Sequence, residues 1–204
     1  MFTPKELELE RGWPGRIDGD RVVQLAAQTL QAFFTGGGGA REHAEYPLAE
    51  VEMRAPVLRP PSVRVFMDTD FVFANPAAIR GPGDVVELPE GVTEIQPVLR
   101  RAALVGADGT IGGFTLMNDW RAPSLVGAKR HDFAMSLGPV VVTPDELGDD
   151  GIDWPALVAT AARNTRLLPG DVLAAGADER DPVGAGAVVA LELAPFGVLR
   201  NTVA

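Results

Sequence analysis

Residues able to move protons or hold an anion crowd one stretch of this chain, Gly113 to Leu147. Asp119 supplies a carboxylate there. Arg121, Lys129 and Arg130 supply cations, and His131, followed by Asp132, supplies an imidazole able to work as general base or acid near neutral pH. An apolar run ending in Asn118-Asp119 precedes this loop. A turn at Gly138-Pro139 and a second strand, Val140 to Thr143, are expected after it. Loops held between buried strands often carry chemistry. The plainer reading of the same residues is a solvated, charged loop.

The elements around that loop read as mostly β. Trp13 to Asp20 reads as a strand with an Asp-Gly turn. Val22, Leu25, Ala26, Leu30 and Phe33 recur at helical spacing and predict a helix up to Phe34, closed by Thr35 and the four glycines 36–39. Residues 1–55 are therefore expected to form a small N-terminal domain, or a hairpin and helix decorating one fold, and 56–204 the larger domain. Phe71–Phe73 reads as a strand, Asn75-Pro76 as a helical turn, and Gly81 to Asp84 as a tight turn before a strand at Val85–Leu88. Val98 to Val105 is apolar except for Arg100 and Arg101. Asp153-Trp154-Pro155 opens a helix to about Arg163, with aspartate as cap and proline in the first turn. The class is β-rich α+β.

Composition narrows the function. The chain has 204 residues, 46% of them hydrophobic, and a net charge of -10. That balance argues against nucleic acid and against an anionic membrane surface as partners. No cysteine is present and there are only two histidines, His43 and His131, so thiolate sites and a histidine-rich zinc site are excluded. The first residues, MFTPKELELERG, lack an apolar signal core, so a cytoplasmic protein is expected.

Taken together, FVFANPAAIRGPGDVVELP (71–89), GFTLMNDW (113–120), KRHDFAMSLGPVVVTPDEL (129–147), LLPGDVLAAG (167–176) and FGVLRNTV (196–203) resemble the fumarylacetoacetate hydrolase superfamily. GRIDGDRVVQLA (15–26) is similar to the small N-terminal domain that many members carry. The resemblance implies a mixed β-sandwich roll, usually paired into a homodimer, and metal-dependent carbon–carbon cleavage of diketo acids. Related members decarboxylate, isomerise or hydrate 2-oxo acids. It also implies Mg²⁺ or Ca²⁺ held by a Glu-x-Glu pair, the Asp of Asn-Asp and often an earlier Asp. Hard cations want several oxygen ligands, and a strand repeat of two puts both glutamates on one face.

The chain departs from that pattern at the chemistry. The glutamate positions fall on Val98 and Arg100, and the earlier Asp on Val65, with Asp68 or Asp70 as substitutes in a shortened segment. Only Asp119 clearly remains. The general-base lid histidine is missing between Pro61 and Phe71, and His43 lies in the wrong region to replace it. The lysine position falls on His131, with Lys129 two residues upstream. The late Gly-Thr falls on Gly176-Ala177. One carboxylate binds Mg²⁺ poorly, and a guanidinium among the ligands repels it. Alternation turns one of the adjacent arginines outward, and Arg100 is expected either as an edge-strand arginine in water or facing inward and paired with Asp119.

Three functions follow. The first is a metal-free enzyme on an oxo acid or diketo compound, acting as isomerase, decarboxylase, cyclase or hydrolase. His131, Lys129 and Asp119 would be catalytic, and Arg100, Arg121 and Arg130 would bind a carboxylate. The second is a non-catalytic member that binds a ligand or pairs with an active paralogue. The third is residual metal-dependent hydrolysis using Asp119 with Asp68 or Asp70. No cofactor is expected, with weak Mg²⁺ or Ca²⁺ binding left open. The partners expected are a small carboxylate or oxo compound and a second chain, as a homodimer or as a heterodimer with a paralogue.

Overall fold

The computed structural model describes residues 1–7 and 9–204. The N-terminal part contains β1 (Phe2–Pro4), β2 (Gly15–Asp18), β3 (Arg21–Leu25), α1 (Leu30–Thr35), β4 (Glu42–Pro47) and β5 (Val51–Met53). β2, β3 and β4 form one sheet, β1 pairs with β5, and Phe2, Val22 and Val51 make a small core of their own.

The helix expected from Val22 is corrected here. Residues 21–25 are strand β3, paired with β2 across the Asp18–Arg21 turn, and only Leu30–Thr35 is helical. Gly19, at φ +59, supplies the left-handed residue of that turn, and the adjacent β-branched Val22 and Val23 favour the ladder. Thr29 caps α1 through its hydroxyl, and Leu30 and Phe34 are buried. The helix lies close to the main sheet: a Cβ on Gly112 would stand 2.8 Å from the Phe34 ring.

The remainder contains β6 (Val63–Met67), β7 (Asp70–Ala74), β8 (Ile79–Arg80), β9 (Val85–Val86), β10 (Glu94–Ile95), β11 (Val98–Val105), β12 (Ile111–Asp119), β13 (Met135–Val142), α2 (Pro144–Leu147), α3 (Trp154–Ala162), β14 (Val172–Glu179), β15 (Val183–Gly184), β16 (Val188–Leu193) and β17 (Gly197–Val203). Seven strands form a mixed sheet in the order β7-β6-β14-β11-β12-β13-β8, and β16-β17-β9 form a second sheet. One apolar cluster joins the two sheets through Leu99, Phe114, Leu116, Leu191, Leu199 and Val203, with Trp154 and Ala161 of α3. A second cluster covers the opposite face with Leu30, Phe34, Val57, Val65, Leu104 and Met117. Because both faces are covered, the inner strands read as continuous apolar runs. Asp153 caps α3 by accepting from the Ala156 amide.

Gly138-Pro139 also differs from the expectation. It is not a turn before a strand but lies inside β13, where the register against β12 shifts between Phe114 and Leu116. Gly138 has φ +136, and a Cβ there would stand 2.6 Å from Pro82, so the irregularity needs glycine.

Candidate functional site

β11 and β12 bring the candidate residues together. Arg100 lies opposite Met117 in their antiparallel register, so it shares a face with Met117 and with Asp119 two residues on. Arg101 points the other way. Its side chain keeps 26% exposure against 1% for Arg100. Nε of Arg100 donates to Oδ2 of Asp119 at 3.0 Å. The remaining guanidinium nitrogens face the end of β6: Nη1 donates to the Phe66 carbonyl at 3.3 Å and Nη2 approaches the Met67 sulfur at 3.7 Å. The two-residue turn Asp68-Thr69 between β6 and β7, with Asp68 at φ +70, places that strand end over Arg100.

Arg121 reaches the same carboxylate oxygen from the loop. Its backbone is bonded twice to Gln96, at 2.9 and 2.7 Å. Its Nη2 donates to Asp119 Oδ2 at 3.4 Å, and its Nη1 donates to Glu179 Oε1 at 2.8 Å. Two guanidiniums and two carboxylates make this group formally neutral. Asp119 is 1% exposed, and its Oδ1 has no hydrogen-bond partner among the described residues. Asn118 and Trp120 beside it are structural: Asn118 accepts from the Val98 amide at 3.0 Å, and the Trp120 indole donates to Ser136 at 3.0 Å.

The other loop residues stand apart in their contacts. Lys129 and Arg130 are exposed on a 3-10 turn, Gly127–Arg130, and Lys129 is bonded to Asp132 at 2.9 Å. His131 ends that turn, is half-buried, and its backbone amide donates to Ala128. Asp68 and Asp70 are exposed, and Asp70 accepts from the amide of Phe71. Val65 and Val98 are 1% and 0% exposed. Three clefts of 410, 760 and 480 Å³ lie elsewhere and are lined by none of Arg100, Asp119, Arg121 or His131. Glu179 and the end of β6 are the participants that the sequence reading did not single out. Glu179 lies 58 positions from Arg121 and carries no local signal; only the β11–β14 pairing brings it near.

A divalent cation does not fit these residues. Among the described residues, no three His, Asp or Glu side chains gather as a ligand set. The free Oδ1 of Asp119 is one oxygen beside two fixed positive charges, where a hard dication needs several anionic or neutral oxygens.

The chain has the fold of the fumarylacetoacetate hydrolase superfamily, as the motifs imply. Maleylpyruvate hydrolase from Sphingobium sp. SYK-6, solved with manganese(II) and pyruvate, superposes with a TM-score of 0.80 at 21% identity, over 95% of this chain and 96% of that one. The 5-carboxymethyl-2-hydroxymuconate delta-isomerase from Mycobacterium smegmatis gives 0.74 at 23%, over 94% and 93%. A 2-keto-3-deoxy-D-arabinonate dehydratase complexed with magnesium and 2,5-dioxopentanoate gives 0.77 at 15%, over 96% of both chains. No family model matches the sequence, and no curated sequence is significantly similar to it. At these identities the likeness is one of fold.

Proposed function

We propose that this chain is a small-carboxylate-binding protein on the hydrolase fold, non-catalytic in the metal-dependent sense, whose centre is held by a built-in cation. The observation that carries this reading is the burial of Arg100, 1% exposed, with Nε on Asp119 and its other nitrogens turned to Phe66 and Met67. Val65 and Val98, at the positions where the resemblance implies metal ligands, are buried and apolar. Arg100, with 1% of its side chain exposed, therefore serves as a tethered counter-ion. The cation left to meet a ligand is Arg121, whose side chain keeps 12% exposure. Carboxylates suit a guanidinium, and structural neighbours hold pyruvate and 2,5-dioxopentanoate.

The test is titration of the purified chain with Mn²⁺, followed by electron paramagnetic resonance, beside assays on acylpyruvates with metal and with chelator. The expected result is no bound Mn²⁺ and no metal-dependent turnover. A crystal soaked in Mn²⁺ that shows the ion on Asp119 overturns the reading and revives hydrolysis through Asp119 with Asp68 or Asp70.

A metal-free enzyme is the second reading. The half-buried His131 favours it, at the end of a turn that also carries Lys129. In that case His131 and Lys129 exchange protons, Asp119 fixes the guanidiniums, and Arg121 and Arg130 hold an oxo acid. Turnover of such a substrate in chelator, abolished by His131→Ala, would establish it. For assembly, we propose a homodimer or a pair with a paralogue, with residues 1–55 as a small domain on 56–204; light scattering of the pure chain checks the first. No helix among the described residues is long and apolar enough to cross a membrane.

A further inference from the structure

We infer that Glu179 is an internal stand-in for a carboxylate ligand, occupying the outer donors of Arg121 until a small carboxylate takes its place. The inference rests on the carboxylate-binding reading above and names the contact that regulates it.

Arg121 is presented rigidly. Its backbone is fixed by two hydrogen bonds to Gln96, and the inner side of its guanidinium is held by the buried Asp119. Its outer side, Nη1, donates to Glu179 at 2.8 Å, its one side-chain acceptor among the described residues. The two partners of Arg121 differ sharply in burial. Asp119 is 1% exposed, whereas the Glu179 side chain is 55% exposed at the last residue of β14. Asp119 is therefore a fixed support and Glu179 a replaceable one. Among the described residues, no other side chain donates to Glu179, so swinging it into water breaks one exposed ion pair. Such pairs contribute little, because solvent screens them and the long side chain loses freedom in making them. A free carboxylate arriving at Nη1 restores the same charge-assisted bond, and the cluster stays neutral while Glu179 is solvated. The tethered carboxylate acts as a weak competitor at high effective concentration. It lowers the apparent affinity by about fivefold or less, as expected for an ion pair this exposed.

The experiment measures the affinity of the full chain for pyruvate by NMR titration at constant ionic strength, with methyl pyruvate as the uncharged control. Wild type is expected to bind pyruvate weakly and methyl pyruvate not at all. Glu179→Gln is expected to tighten pyruvate binding by about threefold to fivefold, and Glu179→Asp to give an intermediate value. Arg121→Gln is expected to abolish binding, and Arg121→Lys, which keeps the charge that faces Asp119, to weaken it. Unchanged affinity in Glu179→Gln, with pyruvate still lost in Arg121→Gln, overturns the inference but leaves the carboxylate site standing. Pyruvate binding that survives in both Arg121 variants places the ligand elsewhere and overturns the inference. No binding of pyruvate, acetate or oxalate by wild type or by Glu179→Gln overturns the inference together with the carboxylate-binding reading.

Discussion

Arg100 and Asp119 form a buried ion pair, Nε to Oδ2 at 3.0 Å. Both are 1% exposed, so removing the cation leaves a buried carboxylate with only the longer contact to Arg121. Arg100→Ala is expected to destabilise the fold by about 3–5 kcal/mol, a drop in Tm of roughly 10 °C. The pair Arg100→Met with Asp119→Leu is expected to cost far less, since apolar replacement of a whole buried pair is often neutral. Thermal melts of the two variants check this difference. The pairing was legible in the sequence because strand periodicity places residues 100 and 119 on one face once Leu99 is set against Asn118. The register itself was not legible. Nor was Glu179, since partners beyond the adjacent strand are fixed by the β-bulge between β11 and β14 near Gly176, which no local pattern reports.

Elements were readable where one signal dominated. Helix α3 has a capping aspartate, a first-turn proline and an apolar face, and it forms at Trp154–Ala162. Asp153→Ala is expected to cost about 1 kcal/mol through loss of the cap, measurable by urea unfolding. Where two signals competed, the reading failed. Residues 22–34 carry helical spacing, yet the hairpin turn and paired valines claim 21–25 for a strand. Gly138-Pro139 looks like a turn, but the chain continues as β13 because a left-handed glycine fits an irregular register. The seat of α1 offers a further check. Gly112→Ala is expected to lower Tm, because its methyl would meet the Phe34 ring at 2.8 Å. Phe34→Leu in the same chain is expected to recover part of the loss, so the two changes couple.

For the molecule as a whole, stability should be indifferent to divalent ions. A ligand raises stability only by its binding to the folded state. Millimolar Mg²⁺, Ca²⁺ or chelator is therefore expected to shift Tm by less than about 1 °C, and calorimetry with each addition checks it. The fold was visible from five motifs in order, because turns and buried strands leave signals along the whole chain; the activity was not, because a site is a handful of side chains on that frame. The guanidinium at the centre has one more consequence. A charge made of the chain's own atoms is delivered at synthesis, always in one-to-one ratio with its acceptor. It cannot be starved for, stripped by a competing chelator or replaced by zinc or iron. A charge held this way is present in every folded copy, whatever ions the surroundings supply.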